Sequence, residues 1–435
     1  MTAHTAPVPA TASRSPALSG SIRLPGDKSI SHRALMLGGI AEGRTEITGF
    51  LPGEDCHATL GALRAMGVTV EQHTATRLSV HGVGTQGLSA PARVLDMGNS
   101  GTAMRLFMGL LAGQRFGATL AGDASLTRRP MERVAQPLRA MGAVIATRDG
   151  KPPVAITGAP LVAIDYELPV PSAQVKSAIL LAGLYASGTT RVTEPAPTRD
   201  HTERMLRGFG VAVQRHGPVA QVEGGQRLAA TRIEVPGDIS SAAFFLVAAC
   251  LAADGAFVLR NVGVNPTRTG VLDILRLMGA DIRIENARES GGEPSADLVV
   301  RASTLRGIRI PEALVPLAID EFPVLFIAAA AAQGTTELRG AGELRVKETD
   351  RLAVMADGLG RLGVRHELLP DGIRIEGGPI GGGTIDSGGD HRIAMAFAVA
   401  SLRAAGPLEI LDVANVATSF PDFVPLARAA GLAIS

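Results

Sequence analysis

Leu24-Pro25-Gly26-Asp27-Lys28-Ser29-Ile30-Ser31-His32-Arg33 runs without a break into Ala34-Leu35-Met36-Leu37-Gly38-Gly39-Ile40-Ala41. Pro25 and Gly26 interrupt the chain, Asp27 or a serine can cap, and the apolar run that follows predicts a helix. Ser29 and Arg33 stand four residues apart and so share one face of its first turns. A lysine, a hydroxyl, an arginine and the spare N–H groups of a helix start together suit an anion. Gly43 closes the run, and Arg44-Thr45-Glu46-Ile47 then reads as a strand.

The same order of events returns five times. A polar or small-residue start leads into an apolar helix and stops at a glycine over Asp27–Gly43, Asn99–Gly113, Ser172–Gly188, Asp238–Gly255, Asp320–Gly334 and Asp390–Gly406. Each closing glycine is expected at a helix C-cap. A second signature lies between these runs: Leu63-Arg64-Ala65-Met66-Gly67-Val68, Leu138-Arg139-Ala140-Met141-Gly142-Ala143, Leu206-Arg207-Gly208-Phe209-Gly210-Val211, Leu275-Arg276-Leu277-Met278-Gly279-Ala280, Gly360-Arg361-Leu362-Gly363-Val364 and Ala427-Arg428-Ala429-Ala430-Gly431-Leu432. A second helix ends at each, and an alternating strand usually follows. Two signatures in phase, with a period of about 70 residues, make the unit strand, helix, strand, helix, strands.

Six such units exceed what one core holds, so three plus three is expected. Pro-Gly-Asp occurs at Pro25–Asp27 and again at Pro236–Asp238, and the chain is expected to cross between domains at both places. Residues 27–236 then form one inserted domain. Residues 1–26 and 237–435 form the other, with the first 17 residues, small and Pro-rich, as a loose tail.

Composition narrows the function. The chain has 435 residues, 46% of them hydrophobic and 19% charged, with a formal net charge of +1. That balance argues against nucleic-acid and membrane-surface binders, which carry a basic excess. The run Ser241–Ala253 suits a core helix and is too short to cross a bilayer. No signal-peptide pattern opens the sequence, which makes the cytoplasm the default location. Cys56 and Cys250 offer no disulfide framework and read as small buried hydrophobes.

The polar residues pool at helix starts. First helices contribute Lys28, Ser29 and Arg33, then Asn99, Ser100, Gly101 and Thr102, then Ser172 and Gln174, Asp320 and Glu321, and Asp390, His391 and Arg392. Second helices contribute Arg128-Arg129, Arg199-Asp200-His201, Thr267-Arg268 and Lys347-Glu348-Thr349-Asp350-Arg351. Taken singly, several have plainer readings: Asn99–Thr102 as a cap, Lys347 and Arg351 as a surface ion-pair face, Asp320 as the cap of an apolar helix. His391 has no HxxxH or HxH partner, so no metal site is expected. Neither GxxxxGK[ST] nor GxSxG occurs. The residues alone point to a cleft between two repeat-built domains that binds two small anions through helix starts, lysines and arginines.

Four motifs together resemble the family of 3-phosphoshikimate 1-carboxyvinyltransferases, the 5-enolpyruvylshikimate-3-phosphate synthases. They are Leu24–Arg33, Gly98-Asn99-Ser100-Gly101-Thr102-Ala103-Met104-Arg105, Arg345-Val346-Lys347-Glu348-Thr349-Asp350-Arg351, and Asp390-His391-Arg392-Ile393-Ala394-Met395. With Phe420-Pro421-Asp422 the resemblance covers nearly the whole chain. It implies an α/β (α+β) protein of two domains, each an inside-out barrel of three βαβαββ repeats, with the active site in the interdomain cleft. It implies transfer of the enolpyruvyl group of phosphoenolpyruvate to the 5-hydroxyl of shikimate 3-phosphate, a step of aromatic amino acid biosynthesis, by a monomer needing no metal or organic cofactor.

Residue by residue, the resemblance implies that Lys28 touches both substrates and that Ser29 and Arg33 hold shikimate 3-phosphate. Ser172, Ala173 and Gln174 take its phosphate and ring, with Arg199 helping. Asn99, Gly101, Arg129, Arg351, His391 and Arg392 fall to substrate binding, most of them to phosphoenolpyruvate. Asp320 takes the hydroxyl proton with Lys347 beside it, and Glu348 handles the proton at the methylene carbon. The chain departs from the common pattern at Ala173, where many members have serine, at Leu106, where many have proline, and at Thr418, where many have lysine. It resembles the subgroup carrying Ser-Ala-Gln-Val-Lys. Gly101 leaves room for the phosphonate glyphosate in the phosphoenolpyruvate pocket, so inhibition is expected. Two rivals remain. An enolpyruvyl transferase acting on UDP-N-acetylglucosamine carries a cysteine near Arg128-Arg129, and Gly122–Met131 has none. A non-catalytic repeat protein that binds phosphorylated ligands would tolerate change at Asp320 and Glu348.

Overall fold

Asp27 caps the opening helix, its carboxylate accepting the Ile30 N–H at 2.9 Å. The helix spans Lys28–Ile40, and every residue from Ile30 onward is buried. The computed structural model, which describes residues 10–13 and 18–435, repeats this element as Gly101–Ala112, Ala173–Gly183, Ile239–Leu251, Phe322–Ala330 and His391–Ala400. The glycines expected to cap these helices mostly do something else. Only Gly113 is a C-cap residue. The Lys28–Ile40 helix stops three residues before Gly43, which lies inside the strand Glu42–Thr48. Gly43, Gly188, Gly255 and Gly334 have φ between +89° and +106°. Their left-handed backbone turns the chain into the next strand after the helix has ended.

The second signature is where helices end on left-handed glycines. The helices Glu54–Ala65, Glu132–Ala140, His201–Gly208, Gly270–Leu277, Arg351–Arg361 and Phe423–Ala430 are followed by Gly67, Gly142, Gly210, Gly279, Gly363 and Gly431. All six glycines have φ between +74° and +107°, the conformation that satisfies the last helical carbonyls.

Each repeat has its own sheet, built on one plan. In the second repeat Leu95–Asp96 pairs parallel with Gly117–Ala121, which pairs antiparallel with Lys151–Thr157, itself paired with Val144–Arg148. The third repeat matches it with Asp165–Glu167, Thr189–Thr193, Val219–Glu223 and Val213–His216. In the first repeat the parallel strand comes from far along the chain, Arg232–Glu234 beside Glu42–Thr48. In the fourth it is Gly20–Arg23 beside Ala256–Gly263.

The sixth sheet departs from the expected loose tail. Its order is Gly383–Asp386, Leu408–Leu411, Ala10–Ser13, Ala433–Ile434. Residues 10–13 therefore occupy the slot that a hairpin strand fills elsewhere, antiparallel to both neighbours. Ala10 and Ala12 turn inward and are buried while Thr11 is exposed. The residues are small, and of the four only Thr11 favours a strand. The unpaired backbone of two flanking strands, and not side-chain propensity, draws them in. The rest of the predicted tail, residues 1–9 and 14–17, lies outside the described residues.

By contacts the chain forms two units: one of residues up to Pro25, Gly237–Arg288 and Ser295–Ser435, the other of Gly26–Pro236 with Glu289–Pro294. Each has its own hydrophobic core. Within the first, the helices Ile239–Leu251, Phe322–Ala330 and His391–Ala400 pack on one another. All nine residues of Phe322–Ala330 are buried. Within the second, Gly101–Ala112 and Ala173–Gly183 pack most closely, because Gly109 lies against the Ala178 backbone where a Cβ would overlap the carbonyl. Helices inside and sheets outside give the inside-out α/β arrangement in each unit. Among the described residues no helix is long and apolar enough to cross a membrane.

Candidate active site

In the unit Gly26–Pro236 the predicted residues sit at three helix starts. Lys28 opens its helix with the ammonium 3.0 Å from Asp55 Oδ2. Burial raises the Asp55 pKa, but Lys28 and the other cations nearby outweigh it and hold the carboxyl below its usual range. Ser29 follows on the same turn and its carbonyl accepts from Arg33 Nη1 at 2.9 Å. Arg33 is buried. Its Nε donates to Thr202 Oγ1 at 2.8 Å and its Nη2 to Ser177 Oγ at 3.0 Å. Burial lowers its pKa to about 10 against the pull of Glu203 and Glu293, which leaves it a cation at neutral pH.

The second start is Asn99-Ser100-Gly101. Ser100 caps the helix, accepting the Ala103 N–H at 3.1 Å. Asn99 donates to Asp123 Oδ2 at 2.7 Å and accepts from Arg129 Nη2 at 2.7 Å, so its amide bridges an acid and a predicted anion ligand. A Cβ on Gly101 would stand 3.3 Å from Arg129 Nη1 and 3.4 Å from Arg105 Nη1. The glycine thus keeps a gap in front of two guanidinium groups. His32 lies behind this start, its Nδ1 2.7 Å from Thr59 Oγ1 and its Nε2 3.4 Å from Ser100 Oγ. Burial pushes its pKa down to about 3, so the ring is neutral.

The third start is Ser172-Ala173-Gln174, where Ser172 caps by accepting the Val175 N–H at 3.4 Å. Gln174 Oε1 accepts from Arg105 Nη1, and Gln174 Nε2 donates to Thr102 Oγ1 at 2.9 Å. Arg105 therefore joins the second start to the third. Arg199 is partly exposed in the irregular segment before the helix His201–Gly208, and its charge acts on Arg33.

In the other unit the predicted residues gather around Arg351, which is 1% exposed. Its Nε donates to Asp390 Oδ2 at 2.7 Å, its Nη2 to Glu348 Oε2 at 2.6 Å, and its Nη1 to Asp320 Oδ1 at 3.4 Å. Burial lowers its pKa, yet Glu348, Asp390 and Asp320 raise it further than burial lowers it. Lys347 Nζ stands 3.4 Å from the same Asp320 oxygen. Arg392 Nη1 donates to the Asp320 carbonyl at 3.1 Å. Asp390 caps the helix that His391 and Arg392 open, accepting the Arg392 N–H at 2.9 Å. His391 is largely buried at that start. Chemically the cluster places three carboxylates, Asp320, Glu348 and Asp390, on one guanidinium, with a lysine on the first.

Three participants had no sequence reading: Asp55, Asp123 and Arg105. Arg105 lies in a quoted motif, and Asp55 sits in the first turn of a helix; neither position alone says which residue it will meet.

A family model for EPSP synthase (3-phosphoshikimate 1-carboxyvinyltransferase) matches residues 13–426. The chain is 63% identical over 419 residues to the 3-phosphoshikimate 1-carboxyvinyltransferase of Methylococcus capsulatus, covering 96% of each. It is 64% identical over 422 residues to that of Alkalilimnicola ehrlichii, covering 96% of this chain and 95% of the relative. A solved EPSP synthase from Acinetobacter baumannii superposes with a TM-score of 0.91 at 55% identity, covering 98% of this chain and 99% of that one. Matching four helix-start motifs, six repeats and relatives along almost its full length, the chain belongs to the EPSP synthase family.

Proposed function

We propose how the family's reaction runs on these residues. The chain transfers the enolpyruvyl group of phosphoenolpyruvate to the 5-hydroxyl of shikimate 3-phosphate and releases phosphate. Lys28, Ser29, Arg33, Ser172, Ala173, Gln174 and Arg199 bind shikimate 3-phosphate, and Lys28 also reaches phosphoenolpyruvate. Gly101, Arg129, Arg351 and Arg392 bind phosphoenolpyruvate, whose carboxylate and phosphate suit guanidinium forks, and Asn99 and His391 take part in substrate binding beside them. Asp320 accepts the 5-hydroxyl proton while that oxygen attacks the central carbon of phosphoenolpyruvate. Glu348 gives a proton to the methylene carbon. In the second half a proton leaves the new methyl group, the carbon–oxygen bond to phosphate breaks, and the enol double bond re-forms. General acid–base catalysis of this kind needs two groups with opposite protonation duties.

One observation carries the reading. Arg351 binds Asp320 and Glu348 at once, at 3.4 and 2.6 Å, and so sets base and acid at a fixed separation on a buried cation. Lys347 at 3.4 Å from Asp320 supports it as the neighbour that stabilises the charged form. The test is phosphate release from phosphoenolpyruvate in the presence and absence of shikimate 3-phosphate. Release should require both substrates, and Asp320→Asn or Glu348→Gln should lower kcat by roughly two to four orders of magnitude. Turnover unchanged in either variant would leave a ligand-binding protein with no catalytic carboxylate at that position. We also infer a cytoplasmic monomer, which mass measurement in solution and cell fractionation test.

A further inference from the structure

Four ionisable side chains with no part in the reaction above lie together in the unit Gly26–Pro236. Lys176 Nζ is 2.8 Å from Glu203 Oε1 and 3.0 Å from Glu194 Oε2, and none of the three side chains is exposed. Arg215 completes the set, with Nη2 3.0 Å from Glu194 Oε2 and Nη1 3.6 Å from Glu203 Oε1. The Thr198 hydroxyl donates to the other Glu194 oxygen. Two cations and two anions balance.

Such a network is weak evidence for stability, since the cost of removing charges from water offsets their attraction and apolar residues of like volume often serve as well. Its neighbours give it another purpose. Lys176 is followed by Ser177 on the helix Ala173–Gly183, and Glu203 is preceded by Thr202 on the helix His201–Gly208. The Thr202 hydroxyl donates to Ser177 Oγ at 2.8 Å. Arg33 donates to both, at 2.8 and 3.0 Å. The lysine thus ties together two helices whose hydroxyls grip the Arg33 guanidinium, one turn beyond the Ser172–Gln174 start. Glu203 also acts directly on the charge of Arg33.

We propose that the Lys176–Glu203–Glu194–Arg215 network is a positioning device for shikimate 3-phosphate, holding Arg33 and the Ser172–Gln174 helix start at a fixed spacing. The proposal rests on the assignment of those residues to that substrate. Lys176 and Glu203 touch no reacting atom and act only through the groups that do.

The test is the double variant Lys176→Met with Glu203→Met, which removes one charge of each sign and leaves Glu194 paired with Arg215. The expected result is a melting temperature equal to or above that of the parent, with KM for shikimate 3-phosphate raised roughly tenfold or more and KM for phosphoenolpyruvate within twofold. Glu203→Gln, which keeps shape and one polar contact, should show the same split at a few-fold. Lys176→Arg, which keeps the charge, should retain most of the affinity. An insoluble or destabilised double variant, or an unchanged KM for shikimate 3-phosphate in folded Glu203→Gln, would overturn the proposal and make the network a stabilising element only. Ser172→Ala separates this from the parent reading. If Ser172→Ala raises that KM and the network variants do not, the positioning role fails alone; if Ser172→Ala also leaves it unchanged, the substrate assignment fails.

Discussion

At position 101 a single methyl group decides how much room two arginines leave. An alanine Cβ there would lie 3.3 Å from Arg129 Nη1 and 3.4 Å from Arg105 Nη1, closer than ordinary van der Waals contact. Gly101→Ala is therefore expected to raise the glyphosate concentration for half-inhibition by roughly tenfold or more, and KM for phosphoenolpyruvate by a few-fold. KM for shikimate 3-phosphate should stay within twofold. Steady-state inhibition assays decide it; unchanged values for both phosphoenolpyruvate and glyphosate would remove Gly101 from that pocket. Leu106, the neighbouring departure from the common pattern, is wholly buried in the core.

His32 makes a different prediction at the same scale. Its folded pKa of about 3 lies below the ordinary histidine value of 6.5 because burial disfavours the cation. The unfolded chain therefore binds more protons between these values, and stability rises with pH across that window. It is complete above about pH 6.5 and is lost as the pH falls toward 3. Between pH 6.5 and 5 the loss from this residue is about 1–2 kcal/mol. Thermal melts at the two pH values should show a smaller drop for His32→Asn than for the parent; equal drops would mean that the ring is not buried as a neutral base. The placement of Lys28, Ser29, Gly101 and Gln174 at helix starts was legible because such a start is a local pattern of cap, polar turn and apolar run. Asp55, Asp123 and Arg105 were not. Their partners lie 27, 24 and 69 residues away, respectively, and nothing within a window of sequence says which distant turn will come alongside.

Among the elements, the two glycine signatures had unequal fates for a physical reason. In the Leu-Arg-x-Met-Gly type the glycine follows the helix directly, and the left-handed residue closes the last turn. After the apolar helices the glycine comes later, so a reading by spacing alone put a helix end where a strand begins. The helix pair Gly101–Ala112 and Ala173–Gly183 shows a further device that the sequence hides. Gly109 in mid-helix would ordinarily weaken the element, but the Ala178 backbone occupies the space of its missing side chain. Gly109→Ala should thus cost stability despite better helix propensity. A loss of roughly 2 kcal/mol or more in denaturant unfolding is expected. An unchanged or improved midpoint would show that the two helices can move apart at no cost. The meeting of Lys176, Glu194, Glu203 and Arg215 was equally invisible, since residues on two helices, one strand and the segment just after another strand share no motif.

For the molecule as a whole, the period was readable and its closure was not. Six repeats followed from two phased signatures, whereas nothing in Ala10-Thr11-Ala12-Ser13 resembles a strand. These residues pair because the sixth sheet leaves a slot between Leu408–Leu411 and Ala433–Ile434. Ala12 is 1% exposed there. Ala12→Asp would bury an unpaired charge and should lower the unfolding transition of the unit that contains it by roughly 3 kcal/mol, with the transition of Gly26–Pro236 unmoved. Calorimetry of the two transitions measures this, and an unshifted profile would show the strand to be dispensable.

The same pairing bears on the order in which the protein is made. The stretch Gly26–Pro236 is continuous and can complete its three sheets as soon as Arg232–Glu234 leaves the ribosome. The other unit must keep Ala10–Ser13 waiting until residues 408–434 have been synthesised, the longest loop closure in the chain. Folding during translation therefore proceeds from the middle of the gene product outward, and Ala10–Ser13, though made early, is among the last strands to find its place.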